Sequence, residues 1–317
     1  MDEGRIIGVD HGYAAMKTAN FIFPTGLAAY DYAPYTLKDT LEYDGKYYVI
    51  GNERQRLQRD KTLTDDSYLM TLAAIAKEIE LRNLDRVLDV HLAAGLPLTG
   101  FGREQKAFER YLLRDGQPAQ FRFEGLDYLV TIKKVTLFPQ GYAALSIQEG
   151  LSKEPSVIVA DIGGWTVDMM RVDNQHPNEA SSRSEEEGLI RCMDNIAEAV
   201  RRKLGVSVNE AQIGSVLRGE ASSIPDSVRK IIDAEAERHV RRLLSLMMEA
   251  GMDYHLTPLV VFGGGSLLVK RYLPSNASIF RVAILDDVRL NAKAYERIAA
   301  EVIRRRRALC LKSGESS

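Results

Sequence analysis

The 317-residue chain predicts an α/β fold built twice over. Apolar segments that fit buried strands alternate with segments of helical period, the pattern of a mixed sheet covered by helices. Two of the strands run into the same sequel of aspartate, glycine turn and returning strand, once from Arg5 to Phe23 and again from Val157 to Val172. A third buried strand, Leu259 to Phe262, ends in Gly263-Gly264-Gly265-Ser266. Glycine turns at strand ends let backbone amides approach a ligand with no Cβ in the way, so the three together point to nucleotide binding.

Composition narrows the class. A chain that is 45% hydrophobic and 27% charged has the make-up of a globular protein of one large or two medium domains. A net charge of -2 gives no global basic field, so direct DNA binding is not expected. The two cysteines, Cys192 and Cys310, are far apart, which argues against a disulfide framework or a cysteine-built metal centre and for a reducing compartment. The acidic start lacks the pattern of a signal peptide, and no apolar run approaches the ~20 residues that span a bilayer. A cytoplasmic protein with no membrane partner is the expectation.

The elements follow in order. Arg5 to Val9 is a buried strand ending at Asp10, His11 to Lys17 contains the turn, and Thr18 to Phe23 is the apolar return. Leu41 to Ile50 is a hairpin with an Asp44-Gly45 turn. Gly51 to Lys61 is a polar, arginine-rich loop. Thr64-Asp65-Asp66 caps a helix running to about Arg82. Val87 to Ala94 is a strand stopped by Gly95-Leu96-Pro97, and Arg103 to Leu113 a short amphipathic helix. Strands at Phe121–Phe123 and Tyr128–Leu137 lead to Pro139-Gln140-Gly141 and a small-residue helix from Tyr142 to Glu149. After the second turn unit, Asp173 to Glu187 reads as an exposed polar loop. Helices are expected at Gly188–Leu204, Asn209–Leu217 and Asp226–Ala250, the last with Val228, Ile232, Val240, Leu243 and Met247 on its buried face. A last strand, Ile279 to Leu285, precedes a helix from Val288 to about Leu311 and a frayed tail. Arg304 to Arg307 fit the solvated end of that helix, where cations suit the dipole.

In order along the chain, Asp10-x-Gly12-x4-Lys17, Pro139-Gln140-Gly141, Asp161-Ile-Gly163-Gly164-Trp165-Thr166-x-Asp168, Gly263-Gly264-Gly265-Ser266 and Asn291-Ala292-x-Ala294-Tyr295 resemble the five motifs of the actin/Hsp70/sugar-kinase superfamily. The nearest likeness is to the ParM/StbA-like bacterial actins. The resemblance implies two duplicated ribonuclease H-like domains around a nucleotide cleft. Domain I would span 1–150 with a small insertion at about 30–85, domain II would span 151–290, and the helix 291–317 would return towards domain I. It implies an ATPase, with GTP as an alternative nucleotide and Mg²⁺ as cofactor, that polymerises head to tail with itself, engages a DNA-bound adaptor of ParR type and disassembles after hydrolysis.

Roles carry over by position. Asp10 and Asp161 would hold Mg²⁺ through water. Lys17, with Gly12 and Tyr13 of the first turn, would contact the β- and γ-phosphates. Gln140 would orient the attacking water, by positioning rather than as a base. Gly163, Gly164, Trp165 and Thr166 would cradle phosphate, and Asp168 would brace the loop or the water. Gly188 opens the helix beside the base, and Gly263, Gly264, Gly265 and Ser266 would lie along the adenosine. Trp165 stands where the family usually has a small residue. Strand alternation turns His11 away from any cleft that Asp10 faces. A non-polymerising small-molecule kinase and a nucleotide-dependent binding protein are the alternatives on this fold.

Overall fold

The computed structural model describes residues 5–51, 60–221 and 223–314. The first run of elements is β1 (Ile6–His11), β2 (Ala15–Thr18), β3 (Ile22–Pro24), β4 (Leu27–Tyr30), β5 (Thr40–Tyr43), β6 (Lys46–Ile50), α1 (Asp66–Leu81), β7 (Val87–Leu96), α2 (Leu98–Leu113), β8 (Ala119–Phe123), β9 (Leu126–Pro139) and α3 (Tyr142–Ser146). The second is β10 (Ser156–Ile162), β11 (Val167–Asp173), β12 (His176–Glu185), α4 (Leu189–Leu204), α5 (Glu210–Arg218), α6 (Asp226–Glu249), β13 (Leu259–Phe262), α7 (Ser266–Tyr272) and β14 (Val282–Ile284), followed by the terminal helix α8 (Leu290–Gly314). Two compact units result. One comprises Met1–Ile147 with Arg289–Ser317, the other Gln148–Val288.

The duplication expected from the two turn units is present in the strand order. The first unit's sheet runs β3-β2-β1-β7-β9-β8-β5-β6-β4, and the second's runs β12-β11-β10-β13-β14. In both, a central strand pairs antiparallel with the strand after its glycine turn, which pairs antiparallel with a further strand, while two parallel strands continue on the other side. The first unit then extends its sheet with β8, β5, β6 and β4. The Asp44-Gly45 turn of the β5–β6 hairpin has positive φ at both residues, as a tight hairpin requires.

All six residues of β1 are buried, because helices cover both faces. Alternation assigns the faces. Ile7 and Val9 join the core under α1. Ile6 packs instead with Ala294, Tyr295 and Ala299 of α8. Gly8 lies on that second face because a Cβ there would sit 2.1 Å from the carbonyl oxygen of Ala292, and one on Gly95 of β7 would sit 2.1 Å from the Tyr295 hydroxyl. Small residues therefore let α8 lie directly on the strand that carries Asp10.

A buried ionic network fixes the same region. Glu78 of α1, fully buried, accepts from the Thr18 hydroxyl, from the Asn20 side chain at 2.9 Å and from Arg82 Nε at 2.7 Å. Arg82 also donates to the Ile6 carbonyl at 2.9 Å and to Glu296 of α8 at 2.7 Å, and Glu296 accepts the Gly8 amide at 3.0 Å. Two helices and one strand thus converge on one guanidinium.

Several sequence expectations need correction. The polar stretch from Asp173 to Glu187 is largely a strand, β12, paired along β11 after a turn with positive φ at Asn174 and Gln175. It lies on a sheet edge, so it needs no apolar alternation, and Pro177 is tolerated where its ring faces no further strand. Thr18 to Phe23 is not one returning strand. β2 ends at Thr18, and β3 begins at Ile22 after a turn. α2 starts five residues before Arg103, behind Pro97, whose fixed φ suits a helix entrance. α3 stops at Ser146, and α8 continues to Gly314. Asp65 occupies the N-cap of α1, but its carboxylate pairs with Arg114 at 2.5 Å rather than capping. β4 and α7 were not anticipated. Of the loop Gly51 to Lys61, residues 52–59 lie outside the described residues.

Removing one partner of a buried pair costs about 3–5 kcal/mol, because the other charge is left without its match. Arg82→Met is expected to lower the unfolding free energy in urea by that amount. The double variant Glu78→Gln with Arg82→Met is expected to lose distinctly less. A single variant as stable as the native chain would show that the network contributes nothing.

Candidate functional site

The first unit gathers four of the proposed site residues around one carboxylate. Asp10, next to last in β1, stands opposite Lys17 of β2 in the antiparallel register, which brings Lys17 Nζ to 2.9 Å from Asp10 Oδ2. Gln140 follows the end of β9. Its amide donates to the Leu96 carbonyl at 2.9 Å, and its side-chain Nε2 donates to Asp10 Oδ1 at 2.9 Å. Gly141, at φ 76°, turns the chain there, with its amide held by Asn291 Oδ1 at 3.1 Å. Asp10 and Gln140 are both buried. Burial pushes the Asp10 carboxyl up, but the adjacent Lys17 ammonium outweighs it, aided by Lys61, and the group is held below the usual carboxylate range. Gly12 completes the cluster, since a Cβ there would meet the Ala15 carbonyl oxygen at 2.5 Å.

His11 faces the other way, as alternation requires. It is buried, its Nε2 lies 2.8 Å from the Thr71 hydroxyl of α1, and its ring meets Phe108 of α2 edge-on at 5.2 Å. Burial, with Lys61 nearby, pushes its pKa down to about 3, so the ring is neutral at physiological pH. Tyr13 lies under Lys61, whose Nζ is 4.7 Å from the ring centroid.

The second unit gathers the remaining candidates. Asp161 of β10 is in register with Asp168 of β11 on one side and Phe262 of β13 on the other. The loop between β10 and β11 closes with the Gly163 amide donating to the Thr166 carbonyl at 2.8 Å. The carbonyls of Gly163, Gly164 and Trp165 accept from the amides of Leu189, Ile190 and Gly188 at 3.0, 2.8 and 3.0 Å. These loop carbonyls satisfy the first turn of α4, which has no side-chain cap. Gly188 is required by that fit, because a Cβ would lie 2.5 Å from the Gly164 oxygen. The Trp165 indole nitrogen is buried with no hydrogen-bond partner among the described residues.

The third glycine turn packs against the second. Gly263 has φ 90°, and a Cβ there would meet Asp161 Oδ1 at 2.4 Å. The Gly265 amide donates to the Ile162 carbonyl at 2.9 Å, and a Cβ on Gly265 would lie 2.3 Å from the Ile162 side chain. Gly264 alone borders open space, whereas Ser266 is buried at the start of α7. Of this turn, Gly264 is therefore the residue a ligand would meet.

Among the described residues, no three His, Cys, Asp or Glu side chains converge as a metal site. A Mg²⁺ ion keeps several waters and takes only one or two protein carboxylates, so it does not require such a cluster. Asp10, with both oxygens already bonded, fits an ion held through its waters better than a direct ligand.

Comparison with known proteins accords with this geometry. Residues 8–142 match the family model of the actin-like proteins' N-terminal domain. The actin-like protein Alp7A superposes with a TM-score of 0.77 at 12% identity, covering 97% of this chain and 99% of its own. The chain has the actin-like fold. An archaeal actin homologue, Ta0583, in complex with ADP gives 0.71 at 19% identity, with 93% and 99% covered. ParM of Bacillus thuringiensis with ATP gives 0.67 at 14% identity, with 95% and 99% covered. No curated protein matches in sequence. The likeness to ParM/StbA-like actins, read from five short motifs, is borne out in this actin-like fold and in the N-terminal family match.

His11 carries a testable consequence of that fold. Its folded pKa lies below the unfolded value of 6.5, so unfolding takes up a proton once the pH falls below 6.5, and stability declines from there towards pH 3. Each pH unit in that window removes about 1.4 kcal/mol per such group. His11→Gln, which keeps a donor for Thr71, is expected to flatten the loss of stability between pH 6.5 and 5 by about 2 kcal/mol. Parallel pH profiles for the two proteins would refute the burial of a neutral ring.

Proposed function

We propose that this actin-like protein is a nucleotide-dependent, filament-forming ATPase that segregates plasmid DNA and disassembles after hydrolysis. The observation that carries the reading is the repeated strand–aspartate–loop arrangement, equipped in one unit with Lys17 and Gln140 beside Asp10 and in the other with a glycine loop and a second glycine turn beside Asp161. Units 1 and 2 are taken as actin-like domains I and II. ATP, or GTP, would bind with Mg²⁺ through Asp10 and Asp161, with Lys17 on the phosphates and Gly263 to Ser266 beside the adenosine. The partners in this reading are further copies of the chain, head to tail, and a DNA-bound adaptor of ParR type.

When bound, Mg²⁺ would neutralise phosphate charge. The chain's own contribution to hydrolysis is positional. Gln140 donates through Nε2 to Asp10, which fixes the side chain and leaves the amide oxygen Oε1 as the group that would accept a hydrogen bond from an attacking water and orient it. A glutamine has no basic function at neutral pH, so slow hydrolysis governed by orientation is the expected regime.

Adding Mg-ATP is expected to raise light scattering above a critical protein concentration, with polar filaments in electron micrographs. Tight ATP binding by a protein that stays monomeric at every concentration would sink the filament reading, and turnover stimulated by a small metabolite would replace it with a kinase. Asp161→Ala is expected to abolish Mg-dependent phosphate release, and normal release would remove the metal role. Gln140→Ala is expected to slow hydrolysis about 100-fold, the scale of a misplaced reacting group, while sparing assembly, so that filaments persist. Filaments of normal lifetime would show that Gln140 does not orient the water.

A further inference from the structure

The first glycine loop is held by residues outside every motif. The carbonyl of His11 accepts from Lys61 Nζ at 2.5 Å. The carbonyl of Gly12 accepts from the Thr25 hydroxyl at 2.6 Å, and that of Ala14 from the Thr25 amide at 3.0 Å. Lys61 Nζ also sits over the Tyr13 ring, and Thr25 is buried.

A trans peptide is planar, with its C=O and the following N–H pointing in opposite directions. Fixing the His11 carbonyl therefore sets the direction of the Gly12 amide, and fixing the Gly12 carbonyl sets that of Tyr13. Each amide points away from the group that holds its plane. Phosphate loops work through amides presented in advance, because donors that must reorganise on binding lose much of their value. The second unit meets the same requirement with backbone alone, since the loop carbonyls of Gly163, Gly164 and Trp165 are taken by the first amides of α4. The first loop opens onto β2 instead of a helix, and its carbonyls are taken by Lys61 and Thr25.

We propose that Lys61 and Thr25 are positioning residues for phosphate at the first loop, acting as a clamp on its carbonyl side. This rests on the nucleotide-binding reading above. Lys61 is the longer and more flexible half of the clamp, and it lines, with Tyr13, Leu96, Pro97 and Phe108, a cavity of about 380 Å³.

Binding of ATP, ADP and AMP to the purified full chain by calorimetry, with Mg²⁺, tests the clamp. Lys61→Met keeps the apolar stem and removes the donor, and Thr25→Val removes only the hydroxyl. Both are expected to weaken ATP and ADP about tenfold, the equivalent of one lost hydrogen bond to a constrained loop, while AMP is bound as by the native chain. Lys61→Arg and Thr25→Ser are expected to restore ATP affinity. Loss with Lys61→Met alone, Thr25→Val binding normally, would mean that Lys61 acts as a charge on the ligand and would overturn the clamp. So would equal weakening for all three nucleotides, or native affinities in both variants. Absence of nucleotide binding by the native chain would instead overturn the function on which the inference rests. Thermal unfolding of each variant, expected within a few degrees of native, separates lost binding from lost fold.

Discussion

A carboxylate at the buried end of a central strand is the constraint around which the first unit is arranged. Asp10 is shielded from water, and a buried charge is tolerated only when paired and hydrogen-bonded. Both oxygens are satisfied, one by Lys17 and one by Gln140. Each partner constrains more of the chain. Lys17 reaches Asp10 because the β1–β2 register places the two residues opposite each other, and a slip of one residue would turn Lys17 to the other face. Gln140 reaches it because β9 ends beside β7 and the chain then turns sharply at Gly141, where Asn291 of α8 receives the amide. The contact of α8 with β1 at Gly8 and the Glu78–Arg82–Glu296 network keep that strand from shifting. The carboxylate is thus held at low pKa by structure that must be in place before any ligand arrives.

The two units solve one problem with different materials. Both sheets carry the same order of central strands, and both place an aspartate and a glycine loop at the end of the middle strand. In the second unit the loop is followed, after β11 and β12, by a helix whose first amides take the loop carbonyls, so capping the helix and fixing the loop are a single set of bonds. In the first unit the strands after the loop lead to further strands, and side chains stand in for the helix. A loop fixed by backbone is rigid by construction. In the first loop the corresponding bonds come from the Lys61 ammonium and the Thr25 hydroxyl, so its backbone depends on side chains from elsewhere in the unit.

The features legible in the sequence were those with a stereochemical signature. Glycines after buried strands marked all three turns, because close approach or positive φ excludes other residues there. The repeated aspartate marked the duplication. The features that escaped lacked any local signal. β12 is polar because it is a sheet edge, so no alternation announces it. α7 is short and begins at a glycine turn that looked complete in itself. Thr25 and Lys61 are ordinary residues until the fold brings them to the carbonyls of the first loop, and Glu78 sat in a helical pattern with nothing to show that it would be fully buried. Long-range pairing of this kind is a property of topology, which one sequence without its fold does not reveal.

Trp165, the residue that departs most from the motif, follows from the same backbone demands. The loop must place the carbonyls of Gly163, Gly164 and Trp165 against α4, and the absence of a side chain at Gly188 lets the two backbones touch. Once the Trp165 carbonyl is committed to Gly188, the direction of its side chain is set by the loop rather than by the needs of the indole. The ring nitrogen is consequently buried, with no acceptor among the described residues. The bonds of the loop backbone hold it there. The loop geometry therefore takes precedence over the comfort of the residue that occupies it.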